Sequence, residues 1–171
     1  MDSLYVHRAP VRFTHTDPAG YVFFPRFFEM FQAAVEDWFT HCLGLNYAEQ
    51  ILTHGVGFPT AHTECDFKRP CRLGEVLELT VVLEKLGRSS FTLRFDGRVG
   101  GELRLTARSV LVQVGRSSMT LRFDGSVHGE ARLRARSVLV AIEMQHGRPQ
   151  PIASVLRERL QAYLALCEAH A

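Results

Sequence analysis

Between Phe13 and Phe39 an apolar segment is cut at Thr16-Asp17-Pro18-Ala19-Gly20 and then resumes with a helical period. Pro18 fixes its own φ and pushes Asp17 out of the α region, and Gly20 admits a tight turn, so the chain must change direction there. Beyond the break, Phe27, Phe28, Phe31, Ala34, Val35, Trp38 and Phe39 recur at spacings of three and four, with Arg26, Glu29, Gln32, Glu36 and Asp37 between them. This predicts one long, largely buried helix from about Phe24 to Leu43, closed by Gly44 in the left-handed region. The rest of the fold has to cover that helix.

The cover reads as strands. A first strand is expected over about Tyr5 to Thr14, a loop or short helical turn around Asn46 to His54, strands near Ala61 to Lys68 and Val76 to Leu86, and a second helix from Ile152 to about Ala169. Between the last strand and that helix lies a tandem repeat, residues 87–114 and 115–142. Both copies read Gly-Arg-Ser-Ser, then Thr-Leu-Arg-Phe-Asp-Gly, then Ala-Arg-Ser-Val-Leu-Val. Phe91, Leu93 and Phe95 alternate with Thr92, Arg94 and Asp96 before a Gly turn and a second alternating run, the signature of a β-hairpin. One hairpin is thus written twice, and two copies are too few for a repeat array. Adding two strands preserves the direction of an antiparallel meander, so the terminal helix can still dock. The extra hairpin either widens the sheet or projects as an arm. Because Leu93, Phe95 and Val99, or Leu121, Phe123 and Val127, give both copies an apolar face, a wider sheet or an intersubunit contact is expected. The fold class is α+β, a long central helix wrapped by an antiparallel sheet, in a single domain spanning residues 1–171.

Composition excludes several function classes. With 171 residues, 46% hydrophobic and 22% charged, the chain can bury a sizeable core. A formal net charge of +2 gives no footprint for nucleic acid. Met1 to Arg8 lacks the basic and apolar regions of a secretory signal, and no run of apolar residues is long enough to span a membrane, so a cytoplasmic location is expected. Cys42, Cys65, Cys71 and Cys167 are scattered without a Cys-x-x-Cys spacing, as reduced structural thiols are.

The start of a helix presents N–H groups without intrahelical acceptors and a partial positive charge, which suits it to a developing oxyanion. Asp17 sits beside that start. On its own, Asp-Pro-x-Gly reads as a turn, with Asp17 as turn or capping residue.

The whole string Phe13-Thr14-His15-Thr16-Asp17-Pro18-Ala19-Gly20-Tyr21-Val22-Phe23-Phe24-Pro25-Arg26-Phe27-Phe28 closely resembles the signature of the 4-hydroxybenzoyl-CoA thioesterase-like family of hotdog-fold acyl-CoA thioesterases. In that family Asp-x-Asp-x-x-Gly precedes the long central helix. The resemblance continues through Glu64-Cys65-Asp66-Phe67-Lys68-Arg69-Pro70, Leu73-Gly74-Glu75, Gly87-Arg88-Ser89-Ser90-Phe91 and Gly147-Arg148-Pro149-Gln150-Pro151-Ile152. It departs at His15, which stands where the family carries its first Asp. His15 is a neutral hydrogen-bond partner of Asp17, a charge that tunes it, or an outward-facing strand residue, and we expect the last.

The resemblance implies hydrolysis of an acyl-CoA to free acid and CoA. Asp17 would attack the thioester carbonyl or activate a water, and the backbone N–H of Phe24 would donate to the oxyanion, since Pro25 has none. It also implies that Arg88, Ser89 and Ser90 bind the phosphates of CoA, with Lys68 and Arg69 as weaker candidates; the repeat offers Arg116, Ser117 and Ser118 as equivalents. Tyr21, with Phe23, Phe28 and Phe58, would line an acyl pocket and suggests an aromatic acyl group. No cofactor or metal is implied, and the partners are the acyl-CoA and a second protomer, in a homodimer or homotetramer. Two alternatives stand beside this reading. One is a non-catalytic acyl-CoA-binding module; the other is a hydratase or dehydratase, with His15, Asp17, His62 and Glu64 as its polar groups or a metal site.

Overall fold

The structure is a computed structural model that describes residues 3–113, 119–127, 130–139 and 151–170, of which 119–127 and 130–139 are described as strand backbone. Five antiparallel strands form one sheet in the order β1 (Val6–Pro10), β3 (Val76–Leu86), β4 (Ser90–Val99), β5 (Glu102–Val112), β2 (Thr60–Phe67). Among the described residues three α-helices accompany it: α1 (Pro25–Asp37), α2 (Tyr47–Leu52) and α3 (Ser154–Ala169). The period-2 pattern places Leu77, Leu79, Val81 and Leu83 of β3, Leu93 and Phe95 of β4, and Leu105 and Ala107 of β5 on one buried face. α1 lies across that face, where Phe31 stacks on Phe95 with ring centroids 5.2 Å apart. The opposite face is polar, and Glu84, Arg94, Asp96, Arg108 and Glu64 form a row of ion pairs across it.

α1 runs on into a π-helical turn, Trp38–Cys42, in which Leu43 N–H reaches back to the Trp38 carbonyl at 3.0 Å. The widened turn coincides with full burial of Trp38 and Phe39. Gly44 then takes the predicted left-handed conformation, φ +67°. The first strand is shorter than expected. It ends at Pro10, and Phe13–His15 form a 3₁₀ turn in which Arg12 N–H donates to His15 Nδ1 at 3.0 Å.

β1 covers only the first part of β3, its register ending at Val6↔Thr80. Past that point the bare edge of β3 is sealed by Tyr5 and α3. Val81 N–H donates to the Tyr5 carbonyl at 2.9 Å, Tyr163 Oη–H donates to the Val81 carbonyl at 2.7 Å, and Leu83 N–H points at Cys167 Sγ at 3.3 Å. α3 begins two residues later than predicted because Ile152 remains extended and donates its N–H to the Arg88 carbonyl at 2.9 Å.

The repeat does not widen the sheet. Its first copy supplies β4 and β5, whereas the second forms β6 (Met119–Val127) and β7 (Glu130–Leu139), which pair with each other in a separate two-stranded sheet. The reason is topological: β5 already has β4 on one side and β2 on the other, so no free edge remains for a continuing meander. Chain connectivity accommodates the insert because its ends meet. Gln113, 3% exposed, donates from Nε2 to the Pro151 carbonyl at 3.2 Å and accepts the Ala153 N–H at 3.4 Å. The lead-in Gly147 to Gln150 and the turn residues Arg116, Ser117 and Ser118 lie outside the described residues.

Candidate active site

The turn before α1 is built around Asp17. Its Oδ1 accepts the N–H groups of Ala19 at 2.9 Å and Tyr21 at 3.1 Å, while its backbone N–H donates to the Tyr21 carbonyl at 2.8 Å. Gly20, at φ +79°, donates to the Asp17 carbonyl and closes the loop. Among the described residues no donor reaches Oδ2, so one carboxylate oxygen is fixed and the other is left without a hydrogen-bond donor. The turn is pinned to the segment before β3 through Val22 N–H to the Cys71 carbonyl and Leu73 N–H to the Gly20 carbonyl.

At the start of α1, Arg26 and Phe27 donate to the carbonyls of Phe23 and Phe24, and Pro25 carries no N–H. Phe23 N–H is taken by the His15 carbonyl. The N–H of Phe24 has no protein acceptor among the described residues, which makes it the open donor of this helix start. His15 is therefore not an outward strand residue. It staples the turn through both its ring and its carbonyl.

Two shallow grooves meet at Phe23 and Phe24, whose rings touch edge to face at 5.4 Å. One, of about 290 Å³, is lined by His15, Asp17, Phe23 and Arg26; the other, of about 300 Å³, by Phe24, Phe27, Phe67, Lys68 and Arg69. Phe23, Phe24 and Phe67 remain about half exposed, an apolar rim unusual beside a carboxylate. Phe58 is not part of this rim. It is 3% exposed and packs on Phe39 and Phe91 in the core.

Of three cations near the helix start, Arg69 is one of the weaker candidates implied by the resemblance, while Arg26 and Arg72 are not singled out as site residues by the sequence. Arg26 pairs with Glu29 at 2.6 Å, Arg72 stands 5.5 Å over the Tyr21 ring, and Arg69 pairs with Glu102. Lys68, the other weaker candidate implied by the resemblance, follows β2 directly and forms no ion pair among the described residues.

Arg88, Ser89 and Ser90 are not brought to Asp17 within one chain. The Asp17 turn is tied to the Val76 end of β3 and Arg88 follows its Leu86 end, and 11 residues of strand span roughly 35 Å. The Arg88 turn is held instead by α3, whose Arg157 donates to the Gly87 and Arg88 carbonyls, both at 2.8 Å. Nor do His15, Asp17, His62 and Glu64 converge: His62 faces Glu64 at 3.9 Å along β2, and no three His, Cys, Asp or Glu side chains gather as a metal site among the described residues.

Comparison with known proteins agrees with this architecture. A 1,4-dihydroxy-2-naphthoyl-CoA hydrolase of Nostoc punctiforme is 27% identical over 92 residues, covering 54% of this chain and 62% of the relative. One from Prochlorococcus marinus is 32% identical over 100 residues, covering 53% and 64%. The match thus spans less than two thirds of these curated relatives. Among solved structures, a gentisyl-coenzyme A thioesterase superimposes with a TM-score of 0.68 at 22% identity, over 92% of this chain and 99% of that one. A 1,4-dihydroxy-2-naphthoyl-CoA thioesterase from Synechocystis gives 0.69 at 17% identity, over 93% and 96%. These likenesses establish the hotdog fold. With the profile of the Thioesterase-like superfamily matching residues 11–160, the chain belongs to that superfamily.

Proposed function

We propose that the protein hydrolyses an acyl-CoA thioester, with Asp17 as nucleophile or general base and the Phe24 N–H as oxyanion donor. The observation that carries this reading is the pairing of a carboxylate held at Oδ1 by two N–H groups with an open N–H at the start of the adjoining helix. Held at one oxygen, the carboxylate needs little reorganisation when the other reacts. The helix N–H and dipole favour the negative charge that develops on the thioester oxygen; loss of such a donor in other enzymes costs about 3 to 4 kcal/mol. Tyr21 positions Asp17 through its N–H and borders the acyl group.

For the acyl group, the aromatic rim of Phe23, Phe24 and Phe67 favours a flat aromatic acid, in line with the naphthoyl and gentisyl substrates in the names of the relatives. Lys68 and Arg69 are near enough to the helix start to meet a phosphate of the same substrate molecule. The span along β3 separating Asp17 from Arg88, Ser89 and Ser90 supports a homodimer or homotetramer in which the partner subunit brings its own turn to this cleft. The exposed outer edge of β2 also favours a second chain. We read the chain as a single domain and its location as cytoplasmic, the latter supported by four cysteines that form no disulfide.

The test is release of CoA thiol from benzoyl, hydroxybenzoyl, dihydroxynaphthoyl, phenylacetyl and fatty acyl-CoAs. Turnover with an aromatic preference is expected. Binding of these esters without turnover of any would replace this reading by that of a binding module.

A further inference from the structure

The two hairpins share more than sequence pattern. They differ at seven of 28 positions, and β6 and β7 pair in the register of β4 and β5 displaced by one repeat. Phe95 faces Ala107 as Phe123 faces Ala135, and Arg94 faces Arg108 as Arg122 faces Arg136. Even the register slip recurs, after Gly97 in one hairpin and after Gly125 in the other.

The slot between β3 and β2 makes two demands on its occupant. First, a Cβ at Gly97 would stand 2.8 Å from Leu105 Cγ and 3.2 Å from Leu77 Cδ1, so glycine is required there. The second copy keeps Gly125 and Leu133 at the matching positions. Second, like charges directly opposite one another destabilise a strand pair. In the sheet, Glu84 from β3 binds both Arg94 and Arg108, and Glu64 from β2 binds Arg108. The second copy carries Arg122 and Arg136 at the matching register positions, so in the slot that pair would face the same two acids.

We propose that the two hairpins compete for this one slot, so that the fold exists in two interconverting states. In the state described here β4 and β5 fill the slot while β6 and β7 pair apart; in the other, the second copy, residues 115–142, would fill it and the first copy, 87–114, would become the insert between Leu86 and Gly115. Both inserts are long, and closure cost grows only with the logarithm of loop length, so connectivity hardly discriminates between the states. Side chains do. Phe91 packs against Trp38, Phe39 and Phe58 where the second copy has Met119, and Gln113 binds Pro151 and Ala153 where it has Ala141. The first copy is the preferred occupant for these reasons. Exchange replaces the Arg88-Ser89-Ser90 turn with Arg116-Ser117-Ser118, and it stands independently of the thioesterase reading.

Disulfide trapping in the full chain tests it. Thr80 is the register partner of Asp96, whose counterpart in the second copy is Asp124. In a glutathione redox buffer, T80C/D96C reports the described state, T80C/D124C the exchanged one, and T80C/T120C serves as an off-register control. Expected is an intramolecular disulfide mapped between positions 80 and 124 that accumulates while the off-register pair stays open. Adding Gly97→Val should raise its rate about tenfold or more, because overpacking penalises only the first copy's occupancy. If 80–96 closes fully but 80–124 closes no faster than 80–120, with and without Gly97→Val, the proposal is overturned.

Discussion

Replacing Tyr163 by Phe should destabilise the protein by about 2 to 3 kcal/mol, because the hydroxyl ties α3 to β3 and to the segment before β1 through two hydrogen bonds. It donates to the Val81 carbonyl at 2.7 Å and accepts the Tyr5 N–H at 3.0 Å. Burial drives the Tyr163 pKa upward, which keeps the phenol protonated and able to donate. Val81 also donates its N–H to the Tyr5 carbonyl, so its own carbonyl points toward the same strand edge, where β1 has ended. Without the hydroxyl that carbonyl is left buried and unpaired, at a cost of about 1 to 3 kcal/mol, and the half-buried Tyr5 N–H adds a smaller amount. The ring stays in place, so no cavity contributes. Urea titration followed by the fluorescence of Trp38, the sole tryptophan and 5.2 Å from the Tyr163 ring, reads the change directly. For a domain of this size the melting temperature should fall by roughly 5 to 10 °C. An unchanged slope with a loss under about 0.5 kcal/mol would refute the edge-sealing role given to α3.

Two further predictions concern pH. Burial first, then Glu75, push the Cys71 thiol from 9.0 up to about 11. Above pH 9 the unfolded chain releases this proton and the folded chain does not, so stability should decline between pH 9 and 11 by about 2 to 3 kcal/mol, a decline that Cys71→Ala should reduce in urea titrations across that range. Glu84 behaves in the opposite sense: the Arg108 hydrogen bond above all holds its carboxyl below the ordinary 4.5, so its contribution is complete above that pH and is lost as the pH falls through the lowered value. In acid titrations monitored by Trp38 fluorescence, Glu84→Gln should be less stable at neutral pH and show a shallower acid dependence than wild type.

Local chemistry makes the turn and helix around Asp17 legible from the residues alone. Pro18, Gly20 and Pro25 leave few backbone choices, and the spacing of Phe27, Phe31 and Trp38 allows one buried face. Gly44 marks the helix end for the same reason. What is not legible depends on partners distant in sequence. Val11 to Thr14 read as strand because they alternate, yet β1 stops at Pro10, and the His15 ring takes the Arg12 N–H in a 3₁₀ turn. The π-helical turn at Trp38 follows from core packing that no local pattern encodes. Which of two nearly identical hairpins enters the sheet turns on partners distant in sequence: Phe91 packs against Trp38, Phe39 and Phe58, and Gln113 binds Pro151 and Ala153. Likewise, Arg88, Ser89 and Ser90 could be named as phosphate ligands, but their separation from Asp17 is a property of β3 running between them.

The decisive measurement is kcat/KM of Asp17→Asn against wild type on the best acyl-CoA of the panel, with the variant's fold checked by its urea transition. The amide introduced by Asp17→Asn keeps an oxygen for the Ala19 and Tyr21 N–H groups, so the turn should persist while the charge is gone. We expect kcat to fall by about 10² or more with KM little changed, as for loss of a group that acts in the transition state. A folded variant that retains wild-type turnover would contradict the assignment of the chemistry to this carboxylate.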